Sequence, residues 1–141
     1  MRRLVILLMV LFATSLFASE VKWAKNFQSG IKSAKEQNKP VFFVFSRHTC
    51  KYCVMLDETT LKNDKVIKAL NKDFVSIISY NDDGDYTPRE LFSPGTPALW
   101  FLLPSGEPMY QPLMGAMDAD NFLKALAIVK GDFEKNKSAG K

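Results

Sequence analysis

The chain has 141 residues, of which 47% are hydrophobic and 24% are charged, and its formal net charge is +4 at pH 7. This length fits one compact domain and is short for two, and the apolar fraction is enough for a hydrophobic core. The charge excludes a strongly basic nucleic-acid-binding surface, since Arg2 and Arg3 at the N-terminus carry half of it.

Residues 1–18 have the composition of a secretory signal peptide. A short basic start is followed by an uninterrupted apolar run over residues 4–12, and Ala18 provides a small residue for cleavage. A membrane anchor is the alternative, but the stretch is shorter than the ~20 apolar residues that cross a bilayer. We therefore expect a cleaved leader and a periplasmic or otherwise exported protein. We expect one domain over residues 19–130 and a flexible polar tail over residues 131–141.

The first two predicted elements of the domain are a helix and a strand. Apolar residues recur every three or four positions over residues 23–37, namely Trp23, Phe27, Ile31 and Ala34. This spacing predicts an amphipathic helix, and Pro40 ends it. The continuous apolar run Val41–Phe45 then predicts a buried strand.

Cys50-Lys51-Tyr52-Cys53 lies directly after this strand and directly before a segment that contains helix-forming residues. At a helix start, unpaired backbone N–H groups and the positive end of the helix dipole stabilise a thiolate and so lower the pKa of the thiol. Two intervening residues let the second thiol reach back by one turn to close a disulfide. The pattern therefore predicts a reversible dithiol/disulfide, with Cys50 as the exposed nucleophile and Cys53 as the more buried resolving thiol.

The same cysteines raise the question of a metal site. A structural zinc ion takes about four ligands, whereas the chain has one histidine and no further cysteine. Because disulfides persist in exported proteins, the pair favours thiol–disulfide exchange. We expect no metal and no cofactor besides the redox-active pair. The alternative is a copper-handling protein, in which both thiolates bind Cu(I) together with His48 or a methionine.

The middle of the chain predicts a helix, a strand and a loop. A short helix is expected over residues 63–70. Phe74–Tyr80 follows and is apolar enough to be a central strand. A polar loop covers residues 81–85, and Thr87–Glu90 has the pattern of a capping box with proline at the first helical position.

The C-terminal part predicts a hairpin and a helix. An apolar segment over residues 98–103 predicts a strand, and a Pro-Ser-Gly-Glu turn connects it to a return strand over residues 109–114. The prolines of that return strand place it at a sheet edge. Asp118 or Asp120 then caps a final helix that ends at Lys130.

This order of elements resembles the thioredoxin fold. Two motifs carry the resemblance: Phe-Ser-Arg-His-Thr-Cys-Lys-Tyr-Cys, which ends at Cys53, and Gly-Thr-Pro-Ala-Leu-Trp-Phe, which starts about 45 residues later. Both look like the motifs of exported thioredoxin-like proteins, including the Dsb-type interchange proteins of bacterial envelopes. The resemblance covers nearly all of the mature chain. It implies an α/β fold with a central mixed sheet of about four strands flanked by helices.

The resemblance also implies a substrate-binding element. In that family, the proline of the second motif is cis and lies against the active-site disulfide, and the residue before it pairs with substrate backbone. Carried over to this sequence, Pro97 would be the cis-proline and Thr96 the substrate-contacting residue.

The sequence departs from thioredoxin itself in three places. Thr49 stands where thioredoxin has tryptophan, and Lys51-Tyr52 replaces Gly-Pro between the cysteines. Val44 replaces a buried aspartate that accepts a proton from the second thiol, which argues against the role of a fast cytosolic reductase. Lys51 beside Cys50 should stabilise the thiolate and so raise the reduction potential, and a protonated His48 would add to this.

These observations predict an exported thiol–disulfide oxidoreductase. Its expected partners are disulfide-bonded or dithiol proteins and a membrane electron donor or acceptor, with no nucleic acid. Reduction of envelope proteins is the preferred direction, and a dithiol oxidase of the same fold is the alternative. An isomerase is less favoured, because in the resembling family that role goes with an added dimerisation domain. A third alternative is a non-enzymatic binding module in which the disulfide is structural.

Overall fold

The structure is a computed structural model that describes residues 20–140. The predicted signal peptide over residues 1–18 therefore lies outside the described residues. Within residues 20–140, no helix combines the length and the apolar character needed to cross a membrane.

A four-stranded sheet with the order β2-β1-β3-β4 forms the centre of the fold. β1 is parallel to β2 and antiparallel to β3, and β3 is antiparallel to β4. This confirms the predicted mixed sheet of about four strands. The strands are β1 (Val41–Ser46), β2 (Val75–Tyr80), β3 (Ala98–Leu102) and β4 (Leu113–Met114).

In the part of the chain that the structure describes, four α-helices flank the sheet: α1 (Phe27–Gln37), α2 (Lys51–Glu58), α3 (Asp64–Asp73) and α4 (Ala119–Ala139). Because every residue of β1 is buried, the strand contributes to the core on both faces of the sheet. Phe42 and Val44 pack with apolar residues of α2, α3 and α4, whereas Phe43 and Phe45 pack in the cluster that α1 covers. The burial predicted for this strand is confirmed.

The prediction that Phe74–Tyr80 is a central strand is wrong, because β2 lies at one end of the strand order. Its outer side is partly covered by the N-terminal segment. Trp23 forms a parallel bridge with Ser76, and the Ala24 N–H donates to the Ser76 carbonyl at 2.8 Å. The strand is apolar because helices cover its faces and this segment covers part of its edge.

The same segment explains why α1 starts at Phe27 and not at Trp23. Trp23 is extended so that it can pair with β2. Asn26 then caps the helix, and its side chain accepts a hydrogen bond from the Ser29 N–H at 2.8 Å. Trp23 therefore fits the helical spacing of the apolar residues although it lies before the start of α1.

Two further boundaries differ from the predictions. The return strand is limited to β4, whose position at the sheet edge agrees with the prediction. The capping box predicted at Thr87–Glu90 is wrong, since Arg89–Leu91 is a 3₁₀ turn and, in the described chain, no side chain caps it.

The prediction that the final helix ends at Lys130 is also wrong, because α4 continues to Ala139. Its cap is Asp118, as predicted, which accepts from the Asn121 N–H at 2.9 Å. Phe133 is 95% buried and extends the apolar face of α4 beyond the predicted end. A single aromatic residue in a polar stretch was the available signal.

Candidate active site

Cys50 occupies the N-cap position of α2, immediately after the loop that leaves β1. Its Sγ atom accepts a hydrogen bond from the Cys53 N–H at 3.2 Å, and its carbonyl accepts from the Val54 N–H at 3.0 Å. The first contact satisfies an N–H at the helix start that would otherwise lack a partner, and the second is the first hydrogen bond within the helix. The predicted placement of the cysteines at a strand-to-helix junction is confirmed.

Cys50 is partly exposed and is a free thiol. Burial by itself would raise the pKa of this thiol, but hydrogen bonds with the side chains of Cys53 and Thr96 and with the backbone of Cys53 and Tyr52 outweigh it. The pKa therefore lies below its ordinary value, and the thiolate is favoured. A thiolate is the nucleophile in exchange with a disulfide.

Cys53 is also a free thiol but is 99% buried. Its desolvation raises the pKa of the thiol, and the hydrogen bond with Cys50 raises it further. The Ser46 hydroxyl opposes the shift only partly. Of the two thiols, Cys50 therefore loses its proton more readily than Cys53.

The segment containing Thr96 and Pro97 faces Cys50 although it lies 46 residues further along the chain. The Cys50 thiol donates to the Thr96 carbonyl at 3.4 Å, and the Thr96–Pro97 peptide bond is cis. The Pro97 carbonyl accepts from the Gly115 N–H at 3.0 Å, which ties this segment to the end of β4. The four residues proposed for the site from the sequence therefore lie together.

An acidic turn after β2 holds the loop that precedes Cys50. The Asp82 carboxylate accepts from the backbone N–H groups of His48 at 2.8 Å and of Thr49 at 3.4 Å. Two backbone donors of this loop are thus bound by one side chain from a distant part of the chain. From the sequence, only a polar loop is predicted at these aspartates.

His48 is held by the same turn. Its Nε2 atom lies 2.8 Å from an Asp83 carboxylate oxygen, and its ring stacks on Tyr80 with centroids 3.8 Å apart. The hydrogen bond with Asp83 is the main reason that the pKa of His48 is raised. These contacts account for the closeness of the His48, Asp82 and Asp83 ligand atoms, all within 4.8 Å. We interpret the cluster as a loop anchor.

Asp57 and Tyr80 were not identified from the sequence. Asp57 follows Cys53 by one helical turn, and both Asp57 and Tyr80 line a cavity of about 180 Å³. Burial raises the pKa of Asp57 although nearby His48 opposes this. The spacing of four residues between Cys53 and Asp57 was the available signal.

Exposed apolar side chains contribute to the surface of α2 and of the segments on either side of Thr96 and Pro97 in the sequence. Tyr52 is exposed on α2, and Phe92 is exposed while its ring packs on Phe45 at 5.1 Å. Met114, also exposed, accepts from the Ser93 hydroxyl at 3.7 Å. This surface suits a polypeptide with apolar side chains better than a charged small molecule.

Comparison with known proteins shows which family and which relatives the chain is similar to. A sequence model of the thioredoxin-like domain family matches residues 27–130, a range that includes both motifs. Anterior gradient protein 3 of Mus musculus is 24% identical over 84 residues, which cover 54% of this chain and 51% of that protein. The chain thus spans about half the length of this curated relative.

Two solved structures are similar at the level of the whole fold. A thioredoxin from Thermus thermophilus has a TM-score of 0.66 and 25% identity, covering 78% of this chain and 87% of that one. The DsbD C-terminal domain of Neisseria meningitidis in the oxidised form has a TM-score of 0.54 and 25% identity, covering 69% and 86%. The resemblance expected from the two motifs is confirmed.

Proposed function

Because the chain belongs to the thioredoxin-like domain family, we propose that it is an exported thiol–disulfide oxidoreductase that reduces or exchanges disulfides in envelope proteins. The observation that carries the proposal is the opposite tuning of two thiols three residues apart. Cys50 is accessible at a helix start with a lowered pKa, and Cys53 is buried with a raised pKa. A structural disulfide has no need of this asymmetry, whereas exchange chemistry begins with attack by an accessible thiolate.

In the proposed reaction, the Cys50 thiolate attacks one sulfur of a substrate disulfide and releases the other as a thiolate. The resulting mixed disulfide is then attacked by Cys53, which forms the Cys50–Cys53 disulfide and frees the second substrate thiol. The substrate gains two electrons and the protein loses two. The reverse sequence oxidises a dithiol substrate.

Thr96 and Pro97 are proposed to bind the substrate. The Thr96 carbonyl lies 3.4 Å from the Cys50 Sγ atom, so a substrate segment bound at Thr96 lies within reach of the nucleophile. Backbone pairing at this position is independent of substrate sequence. The proposed substrates are therefore disulfide-bonded proteins of varied sequence.

We propose reduction as the physiological direction, with electrons supplied by a membrane donor. This proposal rests on the resemblance to the small single-domain reductant-like members of the family. The stabilised Cys50 thiolate acts in the opposite direction, because it favours the reduced form and so raises the reduction potential. An oxidant role follows if that shift is large. The measured potential therefore discriminates between the two directions.

Export is supported by the basic start and the apolar run within residues 1–18. We propose cleavage after Ala18 and a periplasmic location. Expression of the full chain in a bacterium, followed by fractionation and N-terminal sequencing, tests this. The expected product is periplasmic and begins at Ser19, and an uncleaved cytosolic product would contradict export.

The first test of the activity is the Cys50–Cys53 equilibrium in glutathione redox buffers, measured by thiol trapping and mass spectrometry. A potential of ~−270 to −200 mV indicates a reductase or an isomerase-like catalyst, and ~−120 mV indicates an oxidant. A pair that never exchanges with glutathione would overturn the catalytic proposal. Cu(I) titration would then test the copper alternative. The hydrogen bond between His48 Nε2 and Asp83 argues against this alternative, because it occupies a ring nitrogen that would have to bind the metal.

A further inference from the structure

The resolving step places a demand on Cys53 that the sequence leaves unmet. Cys53 must lose its proton before it can attack, yet the residue is 99% buried and its surroundings favour the protonated form. Val44, the position at which the resemblance implies an acidic group, is apolar and fully buried. The proton must therefore leave toward another group.

Asp57 is placed to receive this proton. Residues four positions apart on a helix share a face, so the Asp57 side chain lies on the same side of α2 as Cys53. Asp57 is half-buried, and it borders the cavity of about 180 Å³ together with Tyr80. Trp23 and Leu61 make part of the wall of this cavity apolar. The space has room for a few water molecules.

The electrostatics of this pocket agree with such a role. Burial raises the pKa of Asp57, which makes the carboxylate a better proton acceptor than an exposed one. The pKa of Tyr80 is raised to about 12 by burial, by the charges of Asp57 and Cys53 and by a hydrogen bond with Asp57, so its hydroxyl stays protonated next to the Asp57 carboxylate. The other charged groups facing Asp57 or its cavity are His48, Lys62, Glu58 and Glu20.

We propose that the Asp57 carboxylate accepts the proton of Cys53 during the resolving step, through the Tyr80 hydroxyl or through water in the cavity they share. This inference rests on the proposed function. As the proton passes to Asp57, the Cys53 sulfur forms a bond with the Cys50 sulfur. The bond between Cys50 and the substrate sulfur breaks, and the substrate leaves as a thiolate. Asp57 then returns its proton to this thiolate or to solvent.

The experiment measures the two exchange steps separately with a nitrobenzoate disulfide, whose thiol product is coloured. Reduced protein releases one coloured thiol when Cys50 attacks and a second when Cys53 resolves the mixed disulfide. In the Asp57→Asn variant, we expect the second release at pH 7 to slow by at least about tenfold, with the first changed less than about twofold. The difference should narrow as the pH rises through the pKa of Cys53.

The direction of the effect distinguishes proton transfer from simple electrostatics. If Asp57 acted only as a negative charge near Cys53, its removal would lower the pKa of that thiol and accelerate the second release. An unchanged or faster second release in Asp57→Asn would therefore overturn the inference. Glu58→Gln removes the neighbouring exposed carboxylate and is the matched control, expected to behave as wild type.

Two further variants keep the test decisive. Asp57→Glu retains the carboxylate and should keep most of the second-step rate, which guards against a general folding defect in Asp57→Asn. Tyr80→Phe separates the two routes, since slowing indicates relay through the hydroxyl and no slowing indicates relay through water. If wild-type protein shows no second release, the proposed function itself fails, independently of Asp57.

Discussion

Two regions of the candidate active site shift the pKa of their cysteine in opposite directions. The rim, formed by Cys50, Thr96 and Pro97, is partly open, and hydrogen bonds with the Cys53 and Thr96 side chains and with the backbone at the helix start lower the pKa of the Cys50 thiol. The floor, formed by Cys53 and Leu56 on the buried face of α2, is sealed, and desolvation raises the pKa of Cys53. The same helix start thus carries one thiol whose pKa is lowered and one whose pKa is raised. Position relative to the core, rather than residue type, decides the chemistry of each thiol.

The largest expected effect comes from removing one thiol at a time. Cys50→Ser should reduce turnover of a disulfide substrate by at least about a thousandfold, because the rim then lacks its nucleophile. Cys53→Ser should still attack substrate and accumulate as a mixed disulfide at Cys50, detectable by mass under non-reducing conditions. If Cys53→Ser resolved its mixed disulfide as fast as wild type, the division between rim and floor would be wrong.

The second prediction concerns stability. Leu56→Ala should lower the free energy of unfolding by about 2–5 kcal/mol, because this side chain is 99% buried in the floor. Met55→Ala, one position earlier on the exposed face of α2, should change it by less than about 0.5 kcal/mol. Urea denaturation of both reduced variants measures the difference. Equal destabilisation would mean that the floor is not a packed part of the core.

The third prediction is a difference in alkylation rate between the two thiols. Iodoacetamide should modify Cys50 faster than Cys53, and the rate at Cys50 should rise with pH about a midpoint below the ordinary value of 9.0. The midpoint at Cys53 should lie above that value. Peptide mass spectrometry measures both sites in one sample. In denaturant the rates should converge, and convergence in the native protein would contradict the comparison.

The sequence was sufficient for the parts of the site that are local in the chain. β1 precedes the cysteines and α2 begins at them. The residues next to the motif were therefore enough to predict the buried strand, the turn and the start of the helix. Thr96 and Pro97 were located by resemblance to a family motif. Spacing alone gives no information on how near they lie to Cys50.

The contacts that were missed join segments far apart in sequence. Asp82 binds the loop before Cys50 from 34 residues away, and Tyr80 meets the same loop through the ring of His48. Nothing in an acidic turn indicates which loop it will face after folding. The extension of α4 was missed for a related reason, because the burial of Phe133 depends on tertiary packing.

The smallest expected effect concerns this polar anchor at the outer edge of the rim. The hydrogen bond with Asp83, and the charges of Asp83, Asp82 and Asp57, raise the pKa of His48 above 6.5. Asp83→Asn should bring the pKa back toward that value, whereas Asp64→Asn, on a distant helix, should leave it unchanged. Because the folded-state pKa is raised, the ion pair stabilises the fold below about pH 6.5, and this contribution is lost as the pH rises through the raised value. NMR titration of the single histidine measures the shift, and an unchanged pKa in Asp83→Asn would show that the bond does not persist in solution. Both groups are exposed, so turnover at pH 7 should change less than about twofold.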